Sequence, residues 1–281
     1  MKKYIIILGL LLLSIFTHSK SEIRNIIFDL GYTTFEPKKL KCGMELGIID
    51  SLGYLKNHSK EYLQDSVFEV LSFLGEQEGE AYELVRTNTG APAPTITVEW
   101  FKGNITSQDI FEQLTDLLQE LCNEDYFENE REYRLIKNTF NIMFDPQTLA
   151  KVMKPIDNMQ RLIKKLAQIR DEDGNPQYQF FILSNWDRES FDVLYEKYPK
   201  FFARFDPEHI IISGEIGLVK PHPAIFEYML TTYNLDSAQC LFIDDQLENI
   251  EAAERCDINA MQYDYKHHKE FEKELKLQEI L

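Results

Sequence analysis

The sequence predicts an α/β protein: a doubly wound, Rossmann-like core around a parallel sheet, with an inserted helical cap. Three observations lead there. Short, continuously apolar runs recur along the chain, as strands covered on both faces require. From about residue 156 these runs alternate with segments of helical apolar spacing, and such alternation implies parallel pairing through crossover helices. Between the first run and the others lies a mostly helical block, residues 37–154.

The elements follow in chain order. Residues 1–21 have the form of an export signal: Lys2 and Lys3, an apolar run over residues 4–16, then Thr17, Ser19 and Ser21 at cleavage spacing. The run is short for a bilayer span. Cleavage would leave a mature chain beginning near Lys20 or Glu22, secreted or periplasmic. An uncleaved segment would anchor it to the membrane instead. The core is expected over residues 22–36 and 155–281, with strands at residues 25–28, 179–183, 209–212, 240–243 and 260–263. Helices are expected at residues 159–170, where Leu162, Ile163, Leu166 and Ile169 share a face, and at 188–198, 223–233 and 247–255. In the block over residues 37–154, the cap, residues 46–74 and 107–121 are the clearest helices, and the Gly-Ala-Pro-Ala-Pro run at 90–94 is a loop.

Composition narrows the function. The chain has 281 residues, is 44% hydrophobic and carries a formal charge of -17. Such a surface repels phosphate backbones and anionic lipid, so no nucleic-acid partner is expected and the membrane is met only through the export segment. A small anionic substrate in a locally positive pocket remains compatible. Cys42, Cys122, Cys240 and Cys256 match no zinc spacing, and their pairing is open, as is the oligomeric state.

In open α/β sheets ligands bind beyond the C-terminal ends of the strands. The residues found there are Asp29 after the first strand, Ser184 and Asn185 after the second, Lys220 a short loop after the third, and Asp244 and Asp245 after the fourth. Adjacent carboxylates near a third one repel unless a cation lies between them.

The stretches Phe28-Asp29-Leu30-Gly31-Tyr32-Thr33, Ile182-Leu183-Ser184-Asn185, Gly217-Leu218-Val219-Lys220-Pro221 and Phe242-Ile243-Asp244-Asp245-Gln246-Leu247-Glu248-Asn249 resemble the four ordered motifs of the haloacid dehalogenase-like superfamily. The likeness is to the branch with a helical cap between the first and second motifs. It implies that Asp29 is a nucleophile forming an aspartyl-phosphate, with Lys220 offsetting the charge of Asp29 and of the phosphate. It implies that Ser184 and Asn185 hold the phosphoryl group, and that Asp29, Asp245 and the Gly31 carbonyl bind Mg²⁺. Asp244 would hold Lys220 or a metal-bound water, and Asn249 would steady the acidic loop. Tyr32 stands where the family has a small residue; it either packs under the cap or reaches the substrate. Gly31 stands where most phosphatases of the superfamily carry a second Asp as general acid, which predicts weakened activity. The implied function is a Mg²⁺-dependent phosphomonoesterase acting on a small phosphorylated metabolite. The alternatives are an impaired binding protein with the same fold and a 2-haloacid dehalogenase.

Overall fold

The computed structural model describes residues 22–75, 84–86 and 91–281; the expected signal peptide, residues 1–21, lies outside the described residues. Strand β1 (Asn25–Phe28) leads into a short β2 (Phe35–Pro37). Helices α1 (Lys39–Leu46), α2 (Ile48–Tyr54), α3 (Lys60–Ser72), α4 (Thr95–Phe101), α5 (Ser107–Asn123), α6 (Glu130–Phe144) and α7 (Pro146–Val152) follow. The chain returns through β3 (Met153–Pro155), which pairs antiparallel with β2. The two ends of the inserted helical block are thereby tied side by side.

Beyond it come α8 (Asp157–Leu166), β4 (Gln179–Ser184), α9 (Arg188–Lys197), α10 (Pro199–Phe202), β5 (Ile210–Ile212), α11 (Ser213–Ile216), α12 (Pro223–Thr232), β6 (Cys240–Asp244), α13 (Leu247–Arg255), β7 (Asn259–Gln262) and α14 (His268–Leu277). The main sheet has the order β5-β4-β1-β6-β7, all parallel. Neighbouring side chains along each strand point to opposite faces. Ile26, Phe28, Ile182, Leu241 and Ile243 pack into one core with Met159, Leu162 and Ile163 of α8. Ile27, Phe181, Leu183 and Phe242 pack into another with Ile225, Phe226 and Met229 of α12 and Ala252 and Ala253 of α13. Both faces are therefore covered, and the architecture is a doubly wound core with a helical insertion. The inserted helices have a core of their own, from Val67 and Val70 through Trp100, Ile110 and Leu114 to Phe140 and Phe144.

The order of the sheet fixes where the chemistry lies. β1 is its central strand, with β4 on one flank and β6 on the other. Phe28 is in register with both Ile182 and Ile243. Asp29, Ser184 and Asp244 thus leave the same edge of the sheet side by side.

Several expected boundaries are corrected. The segment 46–74, expected as one helix, holds the last residue of α1 and then two helices, α2 and α3. Gly47 breaks it at φ 89, and Ser59 starts α3 by accepting a hydrogen bond from the Tyr62 amide. Helix α8 begins at Asp157 and stops at Leu166, short of the expected 170. The last strand is one residue earlier than expected, because Tyr263 already turns its amide to the Asp244 carbonyl at 2.8 Å. The apolar pattern at 95–101, unassigned from the sequence, is helix α4.

Candidate active site

Asp29 follows the central strand, and its own amide still donates to the Ile243 carbonyl at 3.0 Å. Its carboxylate is buried. Oδ1 accepts from Ser184 Oγ at 2.9 Å and from Lys220 Nζ at 2.7 Å. Oδ2 accepts no hydrogen bond among the described residues and is left as the free oxygen. The Thr34 hydroxyl, fully buried, donates toward the carbonyls of Asp29 and Leu30 at 3.1 and 3.2 Å and holds the loop in place. Nothing in the sequence pattern marked Thr34 beyond its nearness to Asp29.

Lys220 is 1% exposed and also donates to Asp244 Oδ2 at 2.6 Å. A buried lysine remains charged only if paired. Burial opposes its charge, but Asp244 and Asp29 outweigh burial and hold the ammonium above its usual range. Asp244 is saturated: beyond Lys220 it accepts from the Gln246 amide at 2.8 Å and from Asn249 Nδ2 at 3.1 Å on both oxygens. Of the two uses open to Asp244, the structure shows it holding the lysine, and Asn249 holds Asp244.

Asn185 has its whole side-chain amide engaged. Its side-chain oxygen accepts from the Lys220 amide at 2.8 Å, and its Nδ2 donates to the Lys220 carbonyl at 2.8 Å. Both ends of the amide clasp the backbone of one residue. Through its side chain Asn185 fixes the loop that carries Lys220, so a contact with the phosphoryl group would fall to its backbone amide.

Asp245 is only half-buried, and no other side chain among the described residues donates a hydrogen bond to its carboxylate. Burial, reinforced by Asp29 and Asp244, pushes its carboxyl up to about 8. Burial also pushes Asp29 up to about 6, against the attraction of Lys220. Oxygens of Asp29, Asp244 and Asp245 all lie within 4.8 Å of one another. Three carboxylates face one ammonium, and this excess is what a divalent cation would neutralise. The donors suit Mg²⁺, which takes few carboxylates and fills its shell with carbonyl and water oxygens. Since Asp244 is saturated, Asp29 and Asp245 are the carboxylates free to hold the ion. The Gly31 carbonyl accepts from the Thr33 amide at 2.6 Å and keeps a second lone pair.

That tight turn places Tyr32 at φ 52, a region bulky side chains rarely adopt. The ring is partly exposed. Burial raises the phenol above its usual range, helped by Cys42 of α1 and by Asp245. Tyr32 therefore stands between the acidic loop and the first inserted helix. Gly31 itself has no positive φ, and a Cβ built on it would lie 3.9 Å from Asp29 Oδ2, an ordinary contact.

The insertion meets the core beside the site. Val98 of α4 packs on Val219, the neighbour of Lys220. The Ser213 hydroxyl donates to the Phe101 carbonyl at 2.6 Å and accepts from the Trp186 amide at 2.9 Å. Glu189 of α9 accepts from the Ser107 amide at 3.0 Å. A Cβ on Gly103 would lie 2.3 Å from the Gly214 carbonyl oxygen, so the two loops touch backbone to backbone. The strand-end rule that picks out Ser184 also picks out Ser213, directly after β5.

The family model for haloacid dehalogenase-like hydrolases matches residues 63–257. The chain belongs to the haloacid dehalogenase-like hydrolases. The matched segment contains Ser184, Lys220, Asp244 and Asp245; Asp29 lies before it and is placed by the geometry above. A glyceraldehyde 3-phosphate phosphatase from Pyrococcus abyssi is 35% identical over 75 residues, 27% of this chain and 25% of that protein. Drimenol cyclase drtB from Aspergillus calidoustus is 30% identical over 90 residues, 32% of this chain and 16% of that protein. The chain thus spans a quarter or less of the length of these curated relatives. Among solved structures, a HAD family enzyme from Bacteroides thetaiotaomicron, determined as a magnesium complex, superposes with TM-score 0.50 at 15% identity, covering 87% of this chain and 95% of that one. A dehalogenase superposes with TM-score 0.51 at 15% identity, covering 86% and 85%. These two likenesses are of fold.

Proposed function

We propose that this hydrolase is a Mg²⁺-dependent phosphomonoesterase that cleaves a small phosphate ester through Asp29. One observation carries the reading. Asp29 offers one oxygen clamped by Ser184 and Lys220 and one oxygen free, beside the Asp245 carboxylate, which no other side chain among the described residues bonds. A clamped carboxylate with a free oxygen is a positioned nucleophile. The partial match to a phosphatase agrees with it.

Asp29 Oδ2 attacks phosphorus, the bond from phosphorus to the ester oxygen breaks, and the alkoxide or phenoxide leaves with the bonding pair and takes its proton from water. Water then attacks the phosphorus of the aspartyl-phosphate, the bond to Asp29 breaks, and the carboxylate returns with release of inorganic phosphate. Lys220 favours the ionised form of Asp29, and the Ser184 hydroxyl, which donates to Asp29 Oδ1 in the free site, would turn from it to donate to a phosphoryl oxygen. When bound by Asp29, Asp245 and the Gly31 carbonyl, Mg²⁺ would neutralise the crowded acids and draw charge from the phosphoryl group. Residue 31 carries no side chain to protonate the leaving oxygen, so esters whose alcohols are good leaving groups are the favoured substrates. The same three carboxylates disfavour a haloacid substrate, whose own carboxylate they would repel. Gly31 supports a second reading, a binding protein without turnover.

Assay against a panel of phosphate esters, with and without Mg²⁺, separates the readings. The phosphatase reading expects Mg²⁺-dependent release of phosphate, lost in Asp29→Asn, and a Mg²⁺-dependent rise in melting temperature, lost in Asp245→Asn. No hydrolysis of any ester by a folded, Mg²⁺-stabilised protein would leave the binding reading. Export through residues 1–21 belongs to the proposal, and the N-terminal mass of protein from its native host tests it; an intact Met1 on a soluble cytosolic protein would refute it.

A further inference from the structure

Helices α1 and α2 leave a large apolar surface uncovered. Leu40 is 75% exposed, Met44 61%, Ile49 82% and Leu52 64%, with Ile48 and Leu55 beside them. Exposed apolar side chains scattered singly are ordinary, but a contiguous patch marks an interaction surface. At 100° per residue, Leu40 and Met44 share one face of α1, while Ile48, Ile49, Leu52 and Leu55 share one face of α2.

Both inner faces rest on the same helix, α6. Asn138 donates to the Leu46 carbonyl at 3.0 Å, and Arg134 grips Asp50 at 2.9 and 3.0 Å. Gly53 lies against the Arg131 guanidinium. With both helices backed on α6, their apolar faces turn outward together.

The charges of this segment reverse those of the whole chain. Residues 38–60 contain Lys38, Lys39, Lys41, Lys56 and Lys60 and only two acids, Glu45 and Asp50. Both acids are already occupied, Glu45 by Lys151 at 2.5 Å and Asp50 by Arg134. On α1, Lys39 and Lys41 flank the Leu40–Met44 face, one on each side. Lys39 and Lys41, with Lys38 just before α1, thus gather at one end of the patch on a chain of net charge -17. Salt screens exposed charges beyond about 8 Å at physiological ionic strength, so this local sign, and not the distant acidic surface, is what an approaching partner meets.

An exposed apolar face bordered by lysines is the pattern of helices that lie in a membrane interface. We propose that the outer face of α1 and α2 docks on a lipid bilayer surface containing anionic headgroups. The apolar side chains enter the boundary between headgroups and acyl chains while Lys39 and Lys41 meet the phosphates. This adds a second membrane contact to the one expected from the apolar N-terminal segment. A second copy of the chain is the competing occupant.

Hydrogen exchange of the full-length protein, with and without vesicles, tests the proposal locally and separately from any anchoring by residues 1–21. Vesicles of zwitterionic lipid containing phosphatidylglycerol should protect peptides covering residues 39–55, and vesicles of zwitterionic lipid alone should protect them much less. Lys39→Gln with Lys41→Gln should weaken vesicle binding on the order of thirtyfold, taking the usual contribution of a lysine near an anionic surface. Ile49→Asp with Leu52→Asp should abolish the protection, with an unchanged melting temperature showing that these exposed sites do not carry the fold. Vesicle binding without protection of 39–55, or unaltered in either double variant, would overturn the proposal. So would a concentration-dependent dimer, seen by sedimentation, that protects the same peptides without lipid.

Discussion

Under the proposed phosphatase reading, Gly31 is the residue whose replacement tests the missing general acid. The space above Asp29 Oδ2 is open, and a side chain at 31 would enter it without backbone strain. Gly31→Asp is therefore expected to raise turnover of alkyl phosphates relative to activated aryl esters, by up to the ~10²–10⁴ typical of a positioned general acid. The check is the dependence of turnover on leaving-group pKa, steep in the parent and flatter in the variant. A flat dependence in the parent would mean that another group supplies the proton. Asp187 offers a second test. It caps α9 by accepting from the Ser190 amide at 2.8 Å, yet its Oδ2 is buried without a partner. Burial pushes it from 3.8 up to about 6, against the pull of the Ser190 amide. The fold therefore holds a proton that the unfolded chain releases. The resulting penalty is full above about 6 and vanishes as pH falls below 3.8. Asp187→Asn keeps the cap but removes the charge, so it should stabilise the protein at pH 8 by roughly 1–2 kcal/mol, less than the full shift because a buried NH₂ is left unpaired. Thermal melts should show that gain shrinking to nothing near pH 4; a constant gain would contradict the assignment. The residues at strand ends were legible because the sheet rule names positions, not contacts. The orientation of the Asn185 amide and the positive φ of Tyr32 were not, since both depend on segments distant in sequence.

Among elements, the contact that sets the inserted helices over Lys220 runs through two loops. Gly103 stands at φ 72 against the Gly214 carbonyl, with Ser213 bonded to the Phe101 carbonyl alongside. Gly103→Ala has no room and an unfavourable φ, so it should push the loops apart. The expected result is a destabilisation of roughly 1–3 kcal/mol and a larger rise in KM than loss in kcat, because the Val98–Val219 packing loosens while Asp29 and Lys220 stay in place. Equal kcat and KM in parent and variant would show that this contact does not shape the site. The strands were read to within a residue or so because a buried parallel strand is a continuous apolar run. The breaks in the inserted block were less legible. Apolar residues continue from α2 into α3, so periodicity alone runs the two together over residues 46–74, and only the exposed outer face of α2 shows that the pattern is not one buried stripe.

For the molecule as a whole, the central strand collects groups from four separated stretches of chain into one buried site, and the account depends on Asp29 being the atom donor that attacks phosphorus. Ser184 and Lys220 clamp one of its oxygens, while the family match begins beyond it, so the proposed role rests on this geometry. The most direct measurement is a single turnover with an activated phosphate ester and Mg²⁺, quenched in acid, with the phosphoryl group located by mass spectrometry of the peptides. The predicted result is phosphoryl on the peptide containing Asp29, absent in Asp29→Asn and absent without Mg²⁺. Phosphate released at the parent's rate by Asp29→Asn, or a phosphoryl group found on another residue, would contradict it.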